Sequence, residues 1–129
     1  MDKWAEEYLT GKFKNNLGSY CELIASNGKI TGKYFTKPSR GTLTQPGFDV
    51  NGIYTRVKDG ALLTMIVTYQ IKGEKENGLE RYSQCCWNGK VYEKEKIFKM
   101  NWLLLCNEAK EDEWFSTNLG QDQFEKIEN

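Results

Sequence analysis

Turn-forming pairs punctuate this chain at intervals too short for a run of ordinary helices: Asn27-Gly28, Pro38-Ser39-Arg40-Gly41, Asp59-Gly60, Asn77-Gly78 and Asn88-Gly89. Between them lie segments rich in Tyr, Thr, Val, Ile and Phe, which suit a pleated, half-buried surface. Candidate strands run over about 11–15, 18–25, 29–36, 48–57, 61–71, 80–88, 91–98, 99–106 and 113–118, of which two merge or drop out. Asn27-Gly28 and Asp59-Gly60 carry the strongest hairpin signals, because both residues of each pair tolerate positive φ. Helical periodicity is scarce: residues 2–9, "DKWAEEYL", form a short helix or fray, and "EAKEDE" after Asn107 reads as a charged loop. Many short strands with regular turns give an all-β antiparallel barrel or sandwich, and closure into a barrel removes the exposed edges.

No repeat, linker or low-complexity tract divides the 129 residues, so one domain is expected. Lys+Arg and Asp+Glu are both 18, and a net charge of zero draws the chain to neither nucleic acid nor an anionic membrane. Its longest apolar stretch, "ALLTMIV" from Ala61 to Val67, is far short of a membrane span. The charged N-terminus has no apolar signal region, which fits a cytosolic protein or one whose leader has been removed.

The chain has no histidine. That removes the usual general base, the Ser-His and Cys-His nucleophile pairs and the commonest transition-metal ligand. The four cysteines, Cys21, Cys85, Cys86 and Cys106, contain no C-x-x-C pair, and a zinc site would need all four from distant places. They read as reduced packing thiols. On a strand Ser83, Cys85 and Trp87 share one face and Gln84 and Cys86 the other, so the adjacent thiols are expected on opposite sides of a sheet.

The same parity groups Asn15, Leu17 and Ser19 on the first hairpin and Tyr34 with Thr36 on the third strand. Trp102 sits in the apolar run "MNWLLL", and Trp114 follows an acidic turn. Hydroxyls and amides mixed with large aromatics suit a preformed site for a small, polar-headed molecule, or else a core rimmed by turn residues.

At these residues the chain resembles the avidin family. "LTGKFKNNLGS" resembles the family's first strand and hairpin, "TGKYFT" its third strand, "NGIY" its fourth and "GALLTMIVTY" its fifth. "SQCCWNGK" is similar to the sixth strand, "NWLLL" to the seventh, and "DEWFSTNLGQDQF" to the segment near the end. These matches run in order from Leu9 to Phe124. The resemblance implies an eight-stranded antiparallel up-and-down β-barrel over residues 9–125, with an N-terminal extension over 1–8 and a tail over 126–129. It further implies non-catalytic biotin binding at one barrel end, no cofactor, a homo-oligomer with a tetramer favoured over a dimer, and secretion.

Carried over by position, Asn15, Ser19 and Tyr34 would surround the ureido oxygen of biotin, and Asp122 would accept from a ureido N–H. Leu17 accompanies the first pair. Thr36 and Ser39 would lie near the ligand's side chain, Ser83 would bond its carboxylate, and Cys85 would lie near its sulfur. Tyr69, Trp87 and Trp102 would wall the bicycle, and Trp114 would cover a neighbouring subunit's site. Tyr69 stands where the family has Trp, Cys85 where it has Thr, and Phe13, expected in the core, where it has Trp. "QIKGEKENGLERY", between strands five and six, is longer than the family's connection and is expected as a loop over the mouth: a lid, an obstruction or a selector of another ligand. Arg40 either pairs with the ligand's carboxylate or is solvated. The alternatives are a barrel of this fold that binds a different small hydrophobic ligand, or one that serves as an oligomeric interaction scaffold.

Overall fold

The computed structural model describes residues 3–16, 18–35, 47–76, 79–106 and 117–127. A short helix, α1 (Lys3–Leu9), precedes β1 (Gly11–Asn15), β2 (Tyr20–Ser26), β3 (Lys29–Phe35), β4 (Phe48–Val57), β5 (Gly60–Glu76), β6 (Leu79–Tyr92), β7 (Ile97–Cys106) and β8 (Thr117–Lys126). Each strand pairs antiparallel with the next, and β1 pairs with β8, so the sheet closes into the eight-stranded barrel. Burial alternates along the strands as the pleat requires: on β2, Cys21, Leu23 and Ala25 face inward and their neighbours face solvent. Phe13, with no exposed surface, packs its ring 4.6 Å from that of Phe98 in the core.

Several turns differ from the expectation. Asn27-Gly28 forms its two-residue hairpin with φ of 52° and 82°, the left-handed pair that matches strand twist. At the next hairpin the two loop residues are Lys58 and Asp59, and Gly60 already pairs with Val57. Asn88-Gly89 is no turn: it lies inside β6, opposite Asn101 and Met100. A Cβ on Gly89 would sit 2.1 Å from the Lys99 carbonyl oxygen, so the glycine permits close strand approach there. The candidate strand 91–98 therefore does not exist by itself; its ends belong to β6 and β7, around a turn at 93–95.

The connection expected as a loop over 70–82 is instead a continuation of the sheet. β5 and β6 stay paired out to Glu76 and Leu79, with a register shift between Ile71 and Lys75. Such an irregularity increases local twist and bends the ribbon. The last strand runs over Thr117–Lys126 rather than ending at 118, and residues 113–116 lie outside the described residues.

Residues 2–9 are helical from Lys3, and α1 packs against one end of the barrel. Ala5, Tyr8 and Leu9 are buried in the same hydrophobic cluster as Phe13, Phe98 and Phe124. Tyr8 stacks on Trp4 at 5.5 Å, meets the edges of Phe13 and Phe98, and donates its hydroxyl to the Lys96 carbonyl. Lys126 Nζ donates to the carbonyls of Glu7 and Tyr8 at 3.0 and 3.1 Å, a cation on the negative end of the helix. Arg56 lies over the Trp4 ring at 4.5 Å and pairs with Glu93. The helix thus lies against the end that carries the β4–β5 and β6–β7 turns. Replacing Tyr8 by Ala is expected to destabilise the fold by about 3 kcal/mol or more, as large-to-small changes of buried aromatics do. Urea unfolding at constant m-value measures it, and a change under 1 kcal/mol would assign α1 no part in the core.

Candidate functional site

Toward the end remote from α1 the inward faces of β5 to β8 line up in register. Met65, Trp87, Trp102 and Gly120 form one row across the four strands, and Val67, Cys85 and Leu104 the next row outward. Tyr69 and Ser83 face each other beyond that. Cys85 and Trp87 are buried, whereas Gln84 is exposed and donates to Thr68 on the outer surface. Parity has therefore separated the neighbouring thiols as expected: Cys85 faces in and Cys86 out. Gly120 is what lets the Trp102 indole lie across the row, since a Cβ there would fall 2.2 Å from Cζ2 of that ring.

The polar centre of the site is Asp122. This carboxylate is buried, and its Oδ2 accepts from the Trp87 indole N–H at 3.2 Å and from the Asn15 amide at 3.5 Å. Asn15 in turn accepts from the Ser19 backbone N–H at 2.9 Å, and the Ser19 side chain hydrogen-bonds Tyr34. The other carboxylate oxygen, Oδ1, is buried and has no hydrogen-bond partner among the described residues. A buried carboxylate oxygen left unpaired carries a desolvation cost of about 1–3 kcal/mol or more. It is an acceptor with no donor among the described residues.

Around it the titratable neighbours stay neutral. Burial pushes the Tyr34 phenol up to about 12; the Ser19 hydrogen bond opposes that, and the charge of Asp122 adds to it. Burial, then Asp122 and Cys86, push the Cys85 thiol up to about 12. Burial, followed by Tyr34, Cys85 and Asp122, likewise raises Tyr69. The aromatic wall is continuous: Trp87 to Tyr34 at 4.9 Å, Tyr34 to Tyr69 at 6.2 Å, and Tyr69 to Phe48 at 4.9 Å, edge to face. Apolar rings thus surround a single buried carboxylate, an arrangement suited to holding a small molecule with a donor at its head.

Asn15, Ser19, Tyr34, Tyr69, Ser83, Cys85, Trp87, Trp102 and Asp122 come together on this inner face. Leu17, Thr36, Ser39, Arg40 and Trp114 lie outside the described residues. Phe48 is the wall residue that the sequence reading missed. It is the register partner of Tyr34, and its parity with buried Val50 and Tyr54 on β4 was the signal.

The raised thiols and phenol give stability a sign in alkali. Unfolded cysteine ionises near 9.0 and tyrosine near 10.0, while Cys21, Cys85 and Tyr34 in the fold hold their protons to about 12. The unfolded chain therefore binds fewer protons across that interval, and stability falls as pH rises from about 9 to 12. Urea unfolding at successive pH values should show this fall, shallower in Cys85→Ser. A flat profile would contradict the burial of these groups.

The Avidin family model matches residues 4–127, nearly the whole chain. Among solved structures, the crystal structure of Xenavidin superposes with a TM-score of 0.69 at 25% sequence identity, covering 92% of this chain and 97% of that one. No curated protein sequence matches the chain. With the barrel closed in the same topology and the family model covering α1 through β8, this chain belongs to the avidin family.

Proposed function

We propose that the open end of the barrel binds biotin, without catalysing any reaction on it. The observation that carries this reading is Asp122 Oδ1, buried among aromatic rings and without a hydrogen-bond partner among the described residues. A ureido group is planar, with one strong acceptor and two donors. One ureido N–H donates to Asp122 Oδ1, while Asn15, Ser19 and Tyr34 gather around the ureido oxygen. The carboxylate favours positive character on nitrogen as the oxygen is polarised, and such charge-assisted bonds gain strength where water is excluded. Tyr34, Tyr69, Trp87 and Trp102 bury the apolar rings, at roughly 25 cal/mol per Å² removed from water. Thr36, Ser39 and Ser83 serve the side chain and its carboxylate, and Cys85 faces the thioether. No bond is made or broken in any of these contacts.

A homo-oligomer, with a tetramer favoured, goes with this reading, and Trp114 of one subunit would then reach its neighbour's site. The outer surface supports it. Ile66, Cys86, Leu103 and Leu119 lie in register across β5 to β8, and Leu119 is 76% exposed. Beside them runs a polar row, Thr64, Asn88, Asn101 and Gln121, linked by side-chain hydrogen bonds of 3.0 and 3.1 Å. An apolar row rimmed by a polar one has the layout of a subunit contact.

Asp122→Ala and Ser19→Ala are expected to weaken biotin binding by several kcal/mol together, since each removes a hydrogen bond inside a dry site. Cys86→Ser, on the outer face, should leave affinity within about threefold of the parent. Competition binding with circular dichroism as a check on folding decides it. Should Cys86→Ser be the damaging change and Asp122→Ala the silent one, the inner face is not the ligand site.

A further inference from the structure

We infer that Lys126 is a positioning residue for the ligand site: it straps α1 to the seam between β1 and β8, so that docking of the helix and binding of the ligand favour each other. The inference rests on the biotin reading for the identity of the ligand and on the seam for its mechanism.

Each strand of the seam turns one file of residues inward. On β1 the file is Gly11, Phe13 and Asn15, and on β8 it is Asp122, Phe124 and Lys126, with Phe13 opposite Lys126 and Asn15 opposite Phe124. At one end of these files lies the polar centre, where the Asn15 amide donates to Asp122. In the middle stand Phe13 and Phe124, neither with exposed surface. At the other end the half-buried Lys126 ties α1 to β1. Its ammonium donates to the carbonyls of Glu7 and Tyr8 at 3.0 and 3.1 Å, and it lies 5.3 Å from the centre of the Tyr8 ring and 5.8 Å from that of Phe13. Gly11 leaves room for this path. A Cβ there would fall 2.9 Å from Cε of Lys126, and its φ of 143° is one that side chains rarely adopt.

The helix is an element with two states. Seven residues are too few to hold a helix in water, so α1 is helical only while it is docked. The last carbonyls of a helix have no partner within it, and those are the groups that Lys126 fills. Undocking takes both carbonyls from Lys126 and uncovers Phe13, at the edge of a seam only three pairs wide. A seam that opens from this edge draws Asn15 away from Asp122. A ligand held between those two residues binds the closed seam and not the open one. Linkage then requires the converse: whatever factor the docked helix adds to ligand affinity, the ligand adds to helix docking.

The test uses the whole chain with Lys126→Met, which keeps an apolar stem and loses the donors, and Lys126→Arg, which keeps charge and donors. In Lys126→Met, hydrogen exchange is expected to quicken at the α1 amides and at the Ile127 amide, which bonds the Lys12 carbonyl across the seam. Biotin should leave this variant about fivefold faster or more, the low end of usual coupling between sites. Lys126→Arg should stay within about twofold of the parent in both readouts. Val91→Ala, a cavity in the core on β6, lowers stability away from the seam and should leave biotin dissociation within about twofold, which separates positioning from general weakening. In the parent, biotin should slow exchange of the α1 amides. Unchanged dissociation from Lys126→Met, or α1 exchange that bound biotin does not slow, would overturn the coupling while leaving biotin binding intact. A folded parent that binds no biotin would overturn the biotin reading instead. The strap is then decided without ligand, where unchanged exchange at Ile127 in Lys126→Met would overturn it.

Discussion

Closure of the barrel between β1 and β8 is only three residue pairs wide, Phe13 with Lys126, Lys14 with Glu125 and Asn15 with Phe124. Both ends of the molecule hang on it. On one side it sets Asn15 beside Asp122, 107 positions apart in sequence, and so assembles the polar centre of the site. On the other it stations Lys126 under the last carbonyls of α1 and brings Phe13 and Phe124 into the packing below Tyr8. The Ile127 N–H adds a further bond to the Lys12 carbonyl at 2.8 Å. A closed sheet has no free edge, and a site carried on such strands has little ordering left to do when a ligand arrives.

The energetic tension lies in Asp122. Burial of a carboxylate is tolerated when its oxygens are hydrogen-bonded, and here one oxygen has two donors and the other none among the described residues. Burial keeps the neighbouring Tyr34 and Cys85 protonated, so no second negative charge is added beside it. Walled by rings and with no donor among the described residues, that oxygen costs the fold free energy that a donor reaching it would recover.

Much of this was legible in the sequence because a strand's inner and outer faces alternate strictly. Parity alone separated Cys85 from Cys86 and grouped Ser83, Cys85 and Trp87. The resemblance supplied the strand count and the membership of Asp122, which pattern reading could not reach. β8 reads "TNLGQDQFEK", poor in strand-forming residues, and over 118–126 only Asp122 and Phe124 are buried. Asn88-Gly89 misled because a glycine needed for close strand approach looks in sequence like one needed for a turn. The long charged stretch between strands five and six read as a loop, although its pairing continues the ladder on both sides. Phe48 went unnoticed because it follows the stretch with Pro38 and Pro46 and belongs to no motif.

The most direct test of the account is a calorimetric titration of the purified protein with biotin. Tight, enthalpy-driven binding at one ligand per chain is the expected result, since the donors and acceptors of the site are already in place. A well-folded barrel that gives no heat and no biotin-dependent rise in Tm would contradict it, and would show that Asp122 awaits some other donor.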